Sequence, residues 1–168
     1  MGEQFFAQWC PRVDMDHTAH VRGVGVSIND GDEVVPAVVL EARDELVPIF
    51  VSFDQAQAIQ LAIRDIPFER PLTHDLLVDM VTEFGGAIDA IRIDDLDGGT
   101  FYAKIDVDLY RDDGVTAVVF DARPSDGIAI ALRADCPISI SDAVLDDAGR
   151  SPDELELHDT NLDDVLDW

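Results

Sequence analysis

Two short segments concentrate the side chains able to handle a phosphate ester. Arg70-Pro71-Leu72-Thr73-His74-Asp75 and Asp121-Ala122-Arg123-Pro124-Ser125-Asp126-Gly127 each supply an arginine, a proline, a hydroxyl and a carboxylate. Each also stands at the entrance of an expected helix. Backbone N–H groups at a helix start are free to donate, and the helix dipole favours negative charge there. With a guanidinium alongside, such a start can hold a phosphate, which makes Arg70, Thr73, Arg123 and Ser125 candidate substrate-binding residues. A structural role accounts for part of the pattern. Thr73 and Ser125 are preferred N-cap types, the prolines stiffen the approach, and Asp75 and Asp126 suit the positive helix end. Arg70 and Arg123 could serve a ligand or pair with the many carboxylates, and both readings stay open.

His74 lies in the middle of the chain, whereas His17, His20 and His158 lie toward its ends. Its imidazole can take or give a proton near neutral pH, or bind a metal. Asp75, Asp121 and Asp126 complete the candidate catalytic set. Asp121 ends an apolar strand, where an unpaired charge is costly, and Arg123 is its expected partner. Clustered carboxylates can also hold Mg²⁺ or Mn²⁺ and so activate water for phosphodiester cleavage. Asp94, Asp95 and Asp97 form one such cluster, and Asp106 and Asp108 share a strand face. In so acidic a chain these are ordinarily solvated surface, and no HExxH, HxxE or P-loop pattern is present. The cofactor expectation is a divalent ion, Mg²⁺ or Mn²⁺, with no assigned ligands.

The elements that must position these residues follow from pattern. His20–Ile28 reads as a strand, Asn29-Asp30-Gly31-Asp32 as a turn and Val34–Glu41 as a second strand. Ala42–Glu45 turns the chain into a third, Leu46–Phe53. Asp54 is expected to cap a helix running to about Arg64. Pro67 and Pro71 punctuate a linker; Leu76, Leu77, Met80, Val81 and Phe84 then recur at helical spacing between Thr73 and Gly85-Gly86. Three strands follow: Ile88–Asp95, a strand alternating from Phe101 to Tyr110, and Val115–Asp121. Turns at Asp97-Gly98-Gly99 and Asp112-Asp113-Gly114 separate them. A helix over Ser125–Arg133, a short strand after Pro137 and a helix near Asp142–Ala148 close the domain.

IFVSFDQAQAIQLAIR lies without a gap over VVFDARPSDGIAIALR, matching Ile59, Ala62 and Arg64 to Ile128, Ala131 and Arg133. The expected fold class is α+β, a duplicated strand-strand-strand-helix unit with an extra central helix, its mixed or antiparallel sheets packed with helices. Residues 1–17 read as an N-terminal extension, 18–148 as the domain and 149–168 as an acidic tail.

Length and composition bound what this domain can do. A chain of 168 residues has room for one core, and 47% hydrophobic residues exclude disorder throughout. No apolar run approaches the roughly 20 residues needed to cross a bilayer, so no membrane partner is expected. The first residues show no basic leader, which suggests a cytoplasmic protein. Cys10 and Cys136 make neither a disulfide framework nor a CxxC clip and read as free thiols. Against 36 acidic residues stand 11 basic ones, Lys104 being the single lysine, for a net charge of −25. Dispersed acid strains a compact fold in dilute buffer, but at molar salt the Debye length falls to about 3 Å. The charge therefore suggests a salt-rich cytoplasm. A basic groove, the usual footprint of nucleic-acid binding, is absent; in molar salt counterion release yields little affinity, so nucleic acid is not excluded.

Several strings together resemble the bifunctional nuclease (BFN) domain family. They are Leu46-Val47-Pro48-Ile49, Gln55-Ala56-Gln57-Ala58-Ile59, Arg70-Pro71-Leu72-Thr73-His74-Asp75-Leu76-Leu77, Ile93-Asp94-Asp95-Leu96, Gly99-Thr100-Phe101-Tyr102-Ala103 and Asp121-Ala122-Arg123-Pro124-Ser125-Asp126-Gly127-Ile128-Ala129-Ile130-Ala131. They fall in the family's order over about His20 to Leu145, and Gly127 stands where the family more often has alanine. The resemblance implies an α+β domain, often dimeric, with nuclease activity on RNA and DNA. RNA or DNA is then the expected substrate and a homodimer the expected assembly. Arg70, His74, Asp75, Asp121, Arg123 and Asp126 are the motif residues with polar chemistry. The competing expectation is a non-catalytic binding or oligomerisation module, in which the same residues build the fold and a subunit interface.

Overall fold

Short hairpins dictate the architecture. In the computed structural model, which describes residues 16–28, 33–66 and 69–154, strands β1 (Asp16–Ile28), β2 (Val34–Ala42) and β3 (Glu45–Phe50) form one antiparallel meander. Strands β4 (Gly86–Asp97), β5 (Thr100–Arg111) and β6 (Gly114–Ala122) form a second. Arg43 and Asp44, with φ of 52° and 60°, close the β2–β3 hairpin, and Gly98 and Gly99, with φ of 56° and 82°, close β4–β5. Two-residue turns with positive φ match the right-handed twist of the paired strands. The four-residue β7 (Ile138–Ser141) joins the meanders, antiparallel to β1 and parallel to β4. One mixed seven-stranded sheet results, in the order β3-β2-β1-β7-β4-β5-β6, where sequence reading left the number of sheets open.

Helices α1 (Phe53–Ile63), α2 (Thr73–Glu83), α3 (Pro124–Ala134) and α4 (Asp142–Ala148) complete the fold, so strand-strand-strand-helix occurs twice along the chain. Alternation along β5 behaves as expected, with Ala103, Ile105 and Val107 buried and Tyr102 and Tyr110 exposed. The core joins these residues to Ile91 and Ile93 of β4, Ala56 and Ile59 of α1, and Ile128 to Ala131 of α3. Each fully buried isoleucine stabilises the fold by about 1.5–3 kcal/mol. The same burial pushes the Cys136 thiol up to about 11, so it stays protonated at neutral pH. No helix among the described residues is long and apolar enough to cross a membrane.

Two stretches of apolar sequence are not core. Helical spacing on α2 is present, yet none of its residues is buried; only Val78 and Val81 pack on the core, while Leu76, Leu77, Met80 and Phe84 face outward. Strand β6 is a sheet edge, and its Val115, Val119 and Phe120 are exposed because no neighbour covers them. The third strand is also shorter than expected. Chain reversal occurs at Ser52, which caps α1 in place of Asp54: the Ser52 N–H donates to Gln55 Oε1 at 3.0 Å and its hydroxyl donates to Asp54 at 2.6 Å. The turn at Asn29-Asp30-Gly31-Asp32, Pro67, Cys10, His158 and the end of the acidic tail lie outside the described residues. Arg150 exchanges backbone hydrogen bonds with Leu46, at 2.8 and 2.9 Å.

Gly127 lets α3 approach β4 closely, since a Cβ there would lie 2.8 Å from Cγ2 of Ile91. Alanine in place of glycine gains about 1 kcal/mol of helix propensity, whereas overpacking a filled core costs about 1–3 kcal/mol. Gly127→Ala should therefore lower stability, by up to about 2 kcal/mol in denaturant titrations. A gain in stability would mean that Ile91 gives way freely.

Candidate functional site

The starts of α2 and α3 meet. Pro124 at the first position of α3 fixes the backbone, leaving Arg123 extended as the N-cap residue. The guanidinium then folds back along the first turn, donating from Nε to Asp126 Oδ2 at 2.7 Å and from Nη2 to Oδ1 at 3.2 Å. From the first turn of α2, His74 Nε2 lies 3.2 Å from Asp126 Oδ1. A carboxylate only accepts, so Nε2 carries the proton and Nδ1 of the neutral ring is left as an acceptor. Burial is the largest single influence on Asp126 and pushes its carboxyl upward. Hydrogen bonds from Arg123 and His74, with their charges, outweigh it and hold the carboxyl below the usual range. The same Asp126 hydrogen bond raises Arg123, so the pair is ionised at neutral pH.

A third helix start completes the arrangement. Asp54, in the first turn of α1, is held below the usual carboxylate range by the Ser52 hydroxyl first and by backbone N–H groups, with a further contribution from the charge of Arg123. Asp54, Gln57, Thr73 and His74 open onto one groove of about 320 Å³ between α1 and α2, and Ala58, Leu61 and Leu72 supply its apolar surface. The groove is therefore lined by α1 and α2, and the start of α3 adjoins it through the contact of Asp126 with His74 and the charge of Arg123 on Asp54.

Behind the groove lies Arg133, with a side chain only 9% exposed. Its Nη1 donates to the Ala129 carbonyl at 2.8 Å, its Nη2 to the Ala58 carbonyl at 3.1 Å, and its Nε to Asp75. The other Asp75 oxygen accepts from the Leu72 N–H at 2.8 Å. One guanidinium thus ties α1, α2 and α3 together, and Asp75 serves as its anchor and as the cap of α2.

Of the residues expected from sequence, His74, Thr73, Arg123 and Asp126 are brought together. Arg70 is exposed ahead of α2 and makes no ion pair with another described residue. Thr73 is not the cap of α2, because the preceding Leu72 takes the extended cap position and Asp75 supplies the hydrogen bond. Ser125 is likewise no cap; it follows Pro124 inside the helix and is buried. Asp121 does not pair with Arg123. Its side chain is 87% exposed and meets Lys104, its register partner on β5, on the sheet face opposite the core. Lys104 is raised in turn by that contact. Asp94 and Asp106 close on Arg92, at 3.6 and 2.8 Å, instead of lining an ion site. No three His, Cys, Asp or Glu side chains gather to hold a metal among the described residues. The Asp126 oxygens are already engaged, so these residues form no ready cage for Mg²⁺ or Mn²⁺. Sequence reading missed Asp54 and Arg133, although the gapless match sets Asp54 opposite Arg123 and Arg133 opposite Arg64.

Comparison with known proteins gives a consistent picture. A family model described as "Bifunctional nuclease domain" matches residues 38–153. An uncharacterized protein of Mycobacterium tuberculosis is 40% identical over 138 residues, covering 81% of this chain and 80% of that protein. "Bifunctional nuclease 2" of Oryza sativa subsp. japonica is 30% identical over 108 residues, covering 62% of this chain and 33% of its own length. "Bifunctional nuclease 2" of Arabidopsis thaliana is 29% identical over 108 residues, covering 62% and 32%. The match thus spans about a third of each plant protein.

Removing the Arg133 guanidinium would leave Asp75 with the Leu72 N–H alone and cut the links to α1 and α3 through the Ala58 and Ala129 carbonyls. Loss of one partner of a buried pair costs about 3–5 kcal/mol, less where one member is partly exposed as Asp75 is. Arg133→Ala should lower stability by about 2–3 kcal/mol in denaturant titrations, and Arg133→Lys should recover part of that loss. A loss below about 0.5 kcal/mol, the ordinary range of a surface change, would show that the three helices do not depend on it.

Proposed function

The chain belongs to the bifunctional nuclease domain family, and on that premise we propose that it hydrolyses phosphodiester bonds of RNA, DNA or both at the junction of α1, α2 and α3. The observation that carries the reading is the His74–Asp126 pair beside Arg123 at converging helix starts. In this mechanism Asp126 orients the imidazole, and Nδ1 takes a proton from water. The water oxygen bonds to phosphorus as the ester P–O bond breaks, and the departing oxygen takes a proton from solvent. Arg123 and the free N–H groups of the first turn of α2 stabilise charge developing on the phosphoryl oxygens. Arg70 and Thr73 bind the neighbouring phosphate. Ser125, Asp75 and Asp121 act through the fold.

A second observation favours self-association. Leu76, Leu77, Met80 and Phe84 form an outward apolar stripe on α2, and β6 is an open edge uncharged from Gly114 to Phe120. Exposed edges are normally blunted by charge, and this one is not. We propose a homodimer built on these surfaces, in a salt-rich cytoplasm that screens the net charge of −25. The repeated element order and the gapless match between the two strand–helix junctions support descent from a doubled unit.

Two experiments test these readings. Labelled RNA and single-stranded DNA should be degraded by the pure protein in about 2 M KCl, where the Debye length is only a few ångströms. Parallel samples with and without Mg²⁺ or Mn²⁺ establish whether an ion is needed. His74→Ala should lower the rate by about 10²-fold or more. Unchanged activity in that variant would remove His74 from the site, and no turnover under any condition would favour a non-catalytic binding module. In the second experiment, melting temperature and particle mass are followed across a KCl series. Both a rising melting temperature and a dimer that Phe84→Asp or Phe120→Asp disrupts are expected. A wild-type monomer throughout, or stability that falls with KCl, would reject the respective proposal.

A further inference from the structure

The groove beside His74 has a composition that phosphate binding alone does not explain. It holds about 320 Å³, at the lower end of the roughly 300–1,000 Å³ typical of small-molecule sites and suited to one nucleoside. Leu61, Leu72 and Ala58 supply its apolar surface. Gln57, one turn beyond Asp54 on α1, is the neutral amide among its lining residues, is half-buried, and its side chain has no hydrogen-bond partner among the described residues. An amide offers a donor and an acceptor side by side, the pairing by which Gln reads an adenine edge.

Charge points the same way. A long polyanion approaching a chain of net charge −25 meets little positive charge, and Arg123, whose charge reaches Asp54 of the groove, is already shared with Asp126. Affinity must then come chiefly from the base. A paired base stays stacked with its edge covered, so only an unpaired nucleotide can enter such a groove.

Resting on the hydrolase reading above, we propose that the α1–α2 groove is a base-binding subsite in which Leu61 and Leu72 flank one unpaired base, adenine by preference, and Gln57 reads its edge. The scissile phosphate then lies toward His74 and Arg123, and substrates of two or three nucleotides suffice.

The test is a fluorescence titration with a trinucleotide whose central base is 2-aminopurine, an adenine isomer that brightens on leaving its stacked neighbours. Full-length protein should bind it and raise its emission. Affinity should fall with log[KCl] at a slope of about −0.7, the value for a single phosphate on a single strand. Gln57→Leu, which keeps the volume, should weaken binding about tenfold, the factor that corresponds to 1.4 kcal/mol. Ala58→Phe, which fills the groove, should abolish it, and both variants should keep the wild-type melting temperature. Binding without any cleavage would sink the hydrolase reading and keep the base subsite. Cleavage with unchanged affinity in Gln57→Leu, or a salt slope of about −1.4, the value for both phosphates of the trinucleotide, would overturn the subsite and keep the hydrolase.

Discussion

A guanidinium removed from water must find replacements for the hydrogen bonds it loses, and Arg133 finds them on three helices at once. Its partners are a carboxylate on α2 and backbone carbonyls on α1 and α3. Such a group tolerates little drift, because each broken contact leaves part of a buried guanidinium without a hydrogen-bond acceptor. The relative positions of α1, α2 and α3 follow from that requirement. Gly127 sets the distance of α3 from the sheet, and Pro124 sets where its first turn begins. The groove between the helix starts is a consequence of these constraints on rigid elements and owes nothing to a long loop.

The ionisation pattern at the groove follows from the same packing. The depressed carboxyl of Asp126 stabilises the fold above the pKa of an ordinary carboxylate, and that contribution is lost as pH falls through its own lower pKa. Across the range in which imidazoles titrate, Asp126 is therefore already ionised. Asp126 is a fixed acceptor for the His74 Nε2–H, which leaves Nδ1 as the ring's acceptor. Asp54 is ionised over the same range through the Ser52 hydroxyl, and its charge and that of Arg123 act on each other.

Much of this was legible in the sequence, and the misreadings have physical causes. Period-two alternation from Phe101 to Tyr110 and the Arg43-Asp44 and Gly98-Gly99 turns are local signals, and they gave the strands directly. Helix starts misled because Thr73 and Ser125 are good caps in isolation, whereas Leu72 and Arg123 occupy the cap positions and Asp75 and Asp126 do the hydrogen bonding. Asp121 was assigned to its neighbour in sequence, but strand register brings Lys104 across from it. Arg133 was hidden because an arginine in the last turn of a helix is ordinary dipole chemistry; only the tertiary packing buries it. An uncharged run such as Gly114 to Phe120 reads alike as core strand or open edge, since the difference lies in what packs against it.

The exposed apolar surface and the excess of acid are better understood together than apart. In dilute buffer, like charges spread over the molecule would hold two copies apart. When salt reduces the reach of those charges to a few ångströms, only local contacts matter, and an uncharged edge strand and an apolar helix stripe become the most adhesive parts of the surface. The same screening removes long-range attraction between guanidinium groups and a nucleic-acid backbone. A ligand site under those conditions gains most from contacts that salt does not weaken: apolar surface and hydrogen bonds made inside a groove. The pairing of Gln57 with Leu61 and Leu72 has that character, and a broad basic face would not.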